Sequence, residues 1–85
     1  MKKDLRKMLK DGMTIVDCNG NSFTITNNGF NYVDEEEGKT MCYIYKDFNE
    51  NLEDIAYYDE CLDIELIYDK KGHLIWEKWK EEYNK

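Results

Sequence analysis

Turn signals cut this chain into pieces too short for anything but small strands and single helical turns. Asn19-Gly20, Asn27-Asn28-Gly29, Asp34-Glu35-Glu36-Glu37-Gly38-Lys39 and Asp69-Lys70-Lys71-Gly72 each sit between short apolar stretches. An Asn-Gly pair reads as a type I′ hairpin turn, which needs positive φ at both central residues. Asp69 to Gly72 reads as a type I turn followed by a left-handed glycine.

The stretches between the turns have strand character. They are Met13 to Asp17, Ser22 to Thr26, Phe30 to Val33, Thr40 to Tyr45, Leu62 to Tyr68 and His73 to Trp76. In the second, Phe23 and Ile25 alternate with Ser22, Thr24 and Thr26, the period-two pattern of a half-buried strand. Hairpin follows hairpin, which predicts a mainly β (α+β) fold. Its form is a small curled antiparallel sheet or an SH3-like barrel.

Both ends depart from that period. Leu5, Met8 and Leu9 fall at i, i+3 and i+4, a short helix with one apolar stripe, and Gly12 sits where a helix stops. Trp76, Trp79, Lys80 and Tyr83 share a stripe in a helical C-terminal tail. Residues 46–61 read as a loop with one helical turn, anchored by Phe48 and Leu52, with Ile55 to Tyr58 as a short edge segment.

A chain of 85 residues allows one domain, 1–85. Such a chain buries only about 60–65% of its unfolded surface. Its 14% aromatic content suits a small core, because large rings fill volume efficiently.

Charge is unevenly spread. Residues 1–10 carry Lys2, Lys3, Arg6, Lys7 and Lys10 against Asp4, a net +4. Residues 34–65 carry twelve acids against Lys39 and Lys46, a net −10 within a chain of −7. Such a middle repels nucleic-acid backbone and anionic lipid, so neither is an expected direct partner. No apolar run approaches the roughly 20 residues of a membrane span. Met1 to Lys10 is charged throughout, unlike a secretion signal, and a location in the cytoplasm of the cell that makes it is expected.

Chemistry-bearing motifs are sparse. Cys18, Cys42 and Cys61 are odd in number and widely spaced, so they read as free, partly buried thiols rather than a disulfide framework. No two form the close ligand pair of a structural zinc site, and the acids around Asp59, Glu60, Asp63 and Glu65 lack the EF-hand pattern. His73 reads as a solvated residue at a strand start. No P-loop, nucleophile elbow or dinucleotide fingerprint is present. No enzyme, cofactor or metal is expected.

Two surfaces remain as candidates. Asp34, Glu35, Glu36, Glu37, Glu50, Glu53, Asp54, Asp59, Glu60, Asp63 and Glu65 can tile one face that imitates the phosphate spacing of DNA and fills a basic channel. The competing explanation is a solvated face that keeps a small protein soluble. Tyr43, Tyr45, Tyr57, Tyr58 and Tyr68 exceed what a small core needs, and with Lys46 or Lys70 they can stack a base and hold a phosphate. Core filling competes with that reading. Tyr57 and Trp79 are candidate partner contacts, and Trp79, past the last strand, suits an interface anchor such as that of a homodimer.

Several segments resemble, in order, a family of small phage and prophage proteins of Gram-positive bacteria. They are Leu9-Lys10-Asp11-Gly12-Met13, the Asn19-Gly20 turn with Phe23 and Ile25, Asp47-Phe48-Asn49-Glu50-Asn51-Leu52, Leu62-Asp63-Ile64 with Ile67-Tyr68, and Leu74-Ile75-Trp76-Glu77-Lys78. The family pattern runs LKxGM, a YNEDL-like segment, YDIVKVY and IWER. This chain departs from it at Phe48, Asn51 and Lys78, and adds the acids Glu35–Glu37. The resemblance covers roughly Leu9 to Lys78 and implies a phage accessory protein without implying a mechanism.

The expectation is therefore a non-enzymatic phage accessory protein. As a counter-defence inhibitor it would bind a basic host protein, such as a defence nuclease, through an acidic, DNA-mimicking surface. An oligomeric sponge for a nucleotide immune signal and a minor structural or regulatory phage protein are the alternatives.

Overall fold

The computed structural model describes residues 3–38 and 40–83. Lys2 and Lys39, and the side chains of Cys42 and Tyr83, lie outside the described residues.

Six strands form one antiparallel sheet: β1 (Thr14–Asp17), β2 (Ser22–Thr26), β3 (Asn31–Asp34), β4 (Thr40–Tyr43), β5 (Ile64–Tyr68) and β6 (Leu74–Glu77). Their order across the sheet is β4-β3-β2-β1-β5-β6. β4 and β6 are the two outer strands and do not pair, so the sheet stays open and the barrel alternative is not realised.

The alternation seen in the sequence sets the register. Ile15 lies opposite Phe23 and Ile67, Ile25 opposite Tyr32, and Ile67 opposite Trp76, so one face is apolar from β3 to β6. Thr14, Thr24 and Val33 line up on the other. Ile15, Ile25, Ile64 and Ile67 are fully buried, each contributing about 1.5–3 kcal/mol relative to exposure. The buried indole N–H of Trp76 meets no acceptor among the described residues.

The β4-to-β5 connection covers the apolar face. β4 ends at Tyr43, two residues short of the expected strand, because α1 (Ile44–Asp47) begins there as a single helical turn. The chain then crosses the sheet, burying Ile44, Phe48 and Leu52 against it. Phe48 and Leu52 are the anchors expected of this region. At Ile44 a helical turn aims the side chain inward where a strand would have continued along the edge.

The N-terminal segment completes the second layer. Its helix is a 3-10 turn, Leu5–Met8, capped by the Asp4 carboxylate accepting from the Arg6 N–H. Leu5 and Leu9 enter the core, and the Leu5 N–H donates to the Glu50 carbonyl at 2.8 Å. Asp11 accepts the Gly29 N–H at 3.1 Å. A Cβ on Gly29 would lie 2.5 Å from the Leu9 carbonyl oxygen, so only glycine lets these segments touch.

One turn differs from expectation. At Asn19-Gly20 only the glycine is left-handed, with φ 83. Asp17 is the cause: its carbonyl accepts the Gly20 N–H, and its carboxylate accepts from the Asn19 and Asn21 N–H groups at 2.9 Å. An aspartate ahead of the turn favours type I geometry closed by one left-handed glycine. Consecutive left-handed residues occur instead at Asn27 (φ 53) and Asn28 (φ 58).

Ile55 to Tyr58 is not an edge segment. The isolated bridge Phe48–Asp54 precedes it, and the chain turns away before a second 3-10 turn at Glu60–Leu62. The C-terminal helix α2 (Lys78–Tyr83) follows β6 directly, as the tail pattern predicts.

A candidate interface at the acidic end of the sheet

Strand direction sorts the loops by charge. The Ser22 carbonyl accepts the Glu35 N–H, Val16 pairs with Ser22, and the Asp63 carbonyl accepts the Cys18 N–H at 3.0 Å. The turns at 35–38, 18–21 and 59–63 therefore share one end of the sheet. That end holds Asp34, Glu35, Glu36, Glu37, Asp59, Glu60, Asp63 and Glu65. The turns at 10–13 and 69–73, with Lys10, Lys70 and Lys71 beside Asp11 and Asp69, lie at the opposite end, and α2 brings Lys78 and Lys80 to the acidic one.

Not every acid there is free to meet a partner. Asp34 accepts the Glu36 and Glu37 N–H groups and shapes its own turn. Asp59 caps the second 3-10 turn by accepting the Cys61 N–H at 2.9 Å. Asp54 and Asp63 are buried. Asp54 accepts from Ala56, Tyr57 and Asp59, and Asp63 accepts the Asp54 N–H and pairs with Lys78 at 3.3 Å. Glu35 lies across the sheet's polar face, accepting from the Thr24 hydroxyl at 2.8 Å and the Thr14 hydroxyl at 3.3 Å. Glu36, Glu37 and Glu60 point into solvent.

Two expected members fall elsewhere. Glu50 sits beside the N-terminal 3-10 turn, where its carbonyl serves Leu5. Glu53 is half-buried and accepts from the Asn49 side chain at 3.0 Å. The face is thus smaller than the sequence suggests, and several acids exist to cap turns. Aspartate does this well because its short carboxylate reaches backbone N–H groups two residues on.

The aromatic candidates divide. Tyr57 is 78% exposed and belongs to the acidic end, as does Trp79 on α2, 42% exposed. Tyr58, expected among the base-stacking tyrosines but not among the partner contacts, is 84% exposed with φ 55. Reading the segment as a strand exposes only one of Tyr57 and Tyr58, since strand neighbours alternate faces; in the capped loop both are exposed. The Asp54 spacing ahead of Ala56, Tyr57 and Asp59 was the available signal for a capped loop. Tyr45, at the other end, has the Arg6 guanidinium 4.8 Å from its ring centroid and Phe30 at 5.8 Å. Arg6 is held there by a two-point pair with Asp4.

Cys18 and Cys61 are free thiols at the acidic end and both are exposed, not partly buried as expected. The cause is local: each lies in a turn rather than in the sheet. Desolvation at the Cys18 sulfur, then the Glu65 carboxylate, with Cys61 and Asp17, pushes its thiol above the ordinary cysteine value. His73 is at the opposite end, against Asp69 at 3.3 Å, which separates it from both described thiols. Among the described residues no group of three or more His, Cys, Asp or Glu is arranged to hold a metal ion. No described helix is long and apolar enough to cross a membrane.

Comparison with protein-family models, curated proteins and solved structures finds no match for this chain.

Proposed function

We propose that this chain is a non-catalytic binding protein, a phage accessory protein that disables a host defence protein by seating its acidic end in a basic nucleic-acid channel. The observation that carries the reading is an uneven spread of charge: Asp34 to Glu37 and Asp59 to Glu65 gather at one end, where Lys78 pairs with Asp63, while Lys10, Lys70 and Lys71 lie with Asp11 and Asp69 at the other. Carboxylates fixed on a sheet end focus negative potential on one side of a small molecule, which steers it toward a cationic cleft. The separation of His73 from Cys18 and Cys61 supports a binding role over thiol–imidazole catalysis. The phage assignment rests on the ordered motifs from Leu9 to Lys78.

A pull-down from host lysate tests it. A basic protein is retained at about 0.1 M salt and released near 0.5 M, as screening shortens the reach of charge. Duplex DNA displaces it. Replacing Glu35, Glu36 and Glu37 together with glutamine weakens retention. If no basic protein is held at low salt, or the triple substitution changes nothing, the reading is wrong.

A further inference from the structure

Tyr57 and Tyr58 are more exposed than any other large apolar side chain described. The backbone beneath them is unusually determined. Tyr58 adopts φ 55, a left-handed conformation suited to glycine and costly for an aromatic residue. The N–H groups of Ala56, Tyr57 and Asp59 converge on the Asp54 carboxylate at 3.1, 3.2 and 3.1 Å. The Asp54 N–H is fastened at 2.7 Å by Asp63, which Lys78 pairs in turn. Folding thus buries two carboxylates and strains one residue, and the product is two aromatic rings left in water.

Nothing among the described residues packs on either ring to account for it. Neither ring joins the core cluster, and glycine at position 58 would satisfy the backbone with less strain. Strain held in place by a built network, under side chains with no partner among the described residues, marks a surface shaped for an external contact. Tyrosine is also the side chain that supplies apolar area, a hydroxyl and little flexibility together.

The geometry points to Tyr57 and Tyr58 as a preorganised anchor that enters an apolar cleft of a protein partner whose rim is lined by lysine and arginine. Asp59 and Glu60, immediately after the rings, set negative charge around the base of the tip. A basic rim complements them; the phosphates of a nucleic acid and the acidic end of a second copy do not. The inference deepens the proposed function and rests on it: the acidic end steers, and the tyrosine tip fixes the docked pose. Asp54 and Asp63 are positioning residues for that tip.

The test uses the whole chain carrying a photoreactive residue, as Tyr58→p-benzoylphenylalanine or, separately, Glu36→p-benzoylphenylalanine. Each is irradiated in host lysate with and without a 20-bp DNA duplex as competitor. Both positions should crosslink the same protein, and the duplex should remove the product. Tyr58→Gly should raise the melting temperature by a few degrees as strain is relieved, yet reduce retention of that protein about ten-fold. Tyr57→Ala should reduce retention without lowering the melting temperature.

A DNA-displaced product at position 36 with none at position 58 overturns the anchor and leaves the proposed function standing. No product at either position overturns both. A product at position 58 that is only a second copy of the chain, or that the duplex leaves untouched, also overturns the anchor. So does a Tyr58→Gly variant that is less stable, which would give the ring an internal structural role.

Discussion

The carboxylate of Asp63 accepts the backbone N–H of Asp54 at 2.7 Å, so one buried acid sets the position of another. Asp63 thereby fastens the end of the crossover to the start of β5. Removing it strands the Asp54 N–H and unpairs Lys78. Asp63→Ala should cost about 2–3 kcal/mol, since a buried donor left unmade loses its full desolvation term. Thermal unfolding should show a drop of roughly 4–8 °C per kcal/mol for a domain of this size. Asp63→Asn keeps an acceptor oxygen and should lose distinctly less.

Gly29 is a second point where backbone meets backbone. Alanine there faces the Leu9 carbonyl oxygen at 2.5 Å and must also hold φ 89. Gly29→Ala should destabilise by about 1–3 kcal/mol, read as a lower urea midpoint with an unchanged slope. Gly20→Ala has the same φ problem but open space around its Cβ, so it should cost less. Equal losses at both positions would discount the Leu9 contact.

Acid should weaken the fold through its capping carboxylates. The His73 N–H holds the Asp69 carboxyl below its ordinary value, with help from the Lys71 N–H. The Arg6 side chain does the same for Asp4. A carboxylate with a folded pKa below its unfolded one adds stability that is complete above the unfolded value and lost as pH falls through the folded value. The urea midpoint should therefore hold from about pH 7 to 5 and fall below about pH 4. Asp69→Asn should fall less steeply across that lower window than the unaltered chain.

Cys18 should alkylate with a pH midpoint above that of a free cysteine. Its thiolate forms against local desolvation and the charge of Glu65, and only the thiolate reacts. Site-resolved mass spectrometry of iodoacetamide labelling against pH measures this. Glu65→Gln should move the Cys18 midpoint down, and an unmoved midpoint would remove Glu65 as a cause.

Most strands were legible because their signals are local. Phe23 and Ile25 alternate with hydroxyl residues, and Gly72 punctuates the last hairpin. The Phe48 and Leu52 anchors were legible as the apolar residues in an otherwise polar stretch. Less legible were features set by one side chain acting on distant backbone. Asp17 remade the Asn19-Gly20 turn, and Asp54 converted an apparent edge strand into a capped loop. Composition also overstated the acidic face, because a turn-capping aspartate such as Asp34 reads the same in sequence as a free one. What composition could not supply, and topology did, is that the 35–38 and 59–63 turns meet at one end.

The seam between β1 and β5 joins residues about fifty positions apart, such as Thr14 and Tyr68. Strands β1 to β4 are built by successive hairpins, and β5 with β6 is another, each of a kind that forms in microseconds. Pairing the two halves closes a loop of about fifty residues, an entropic cost that no hairpin bears. The β1–β5 pairing, rather than any hairpin, is the expected slow step. Refolding should accordingly be slower than that of a simple meander of equal length, with Ile15 and Ile67 setting the pace.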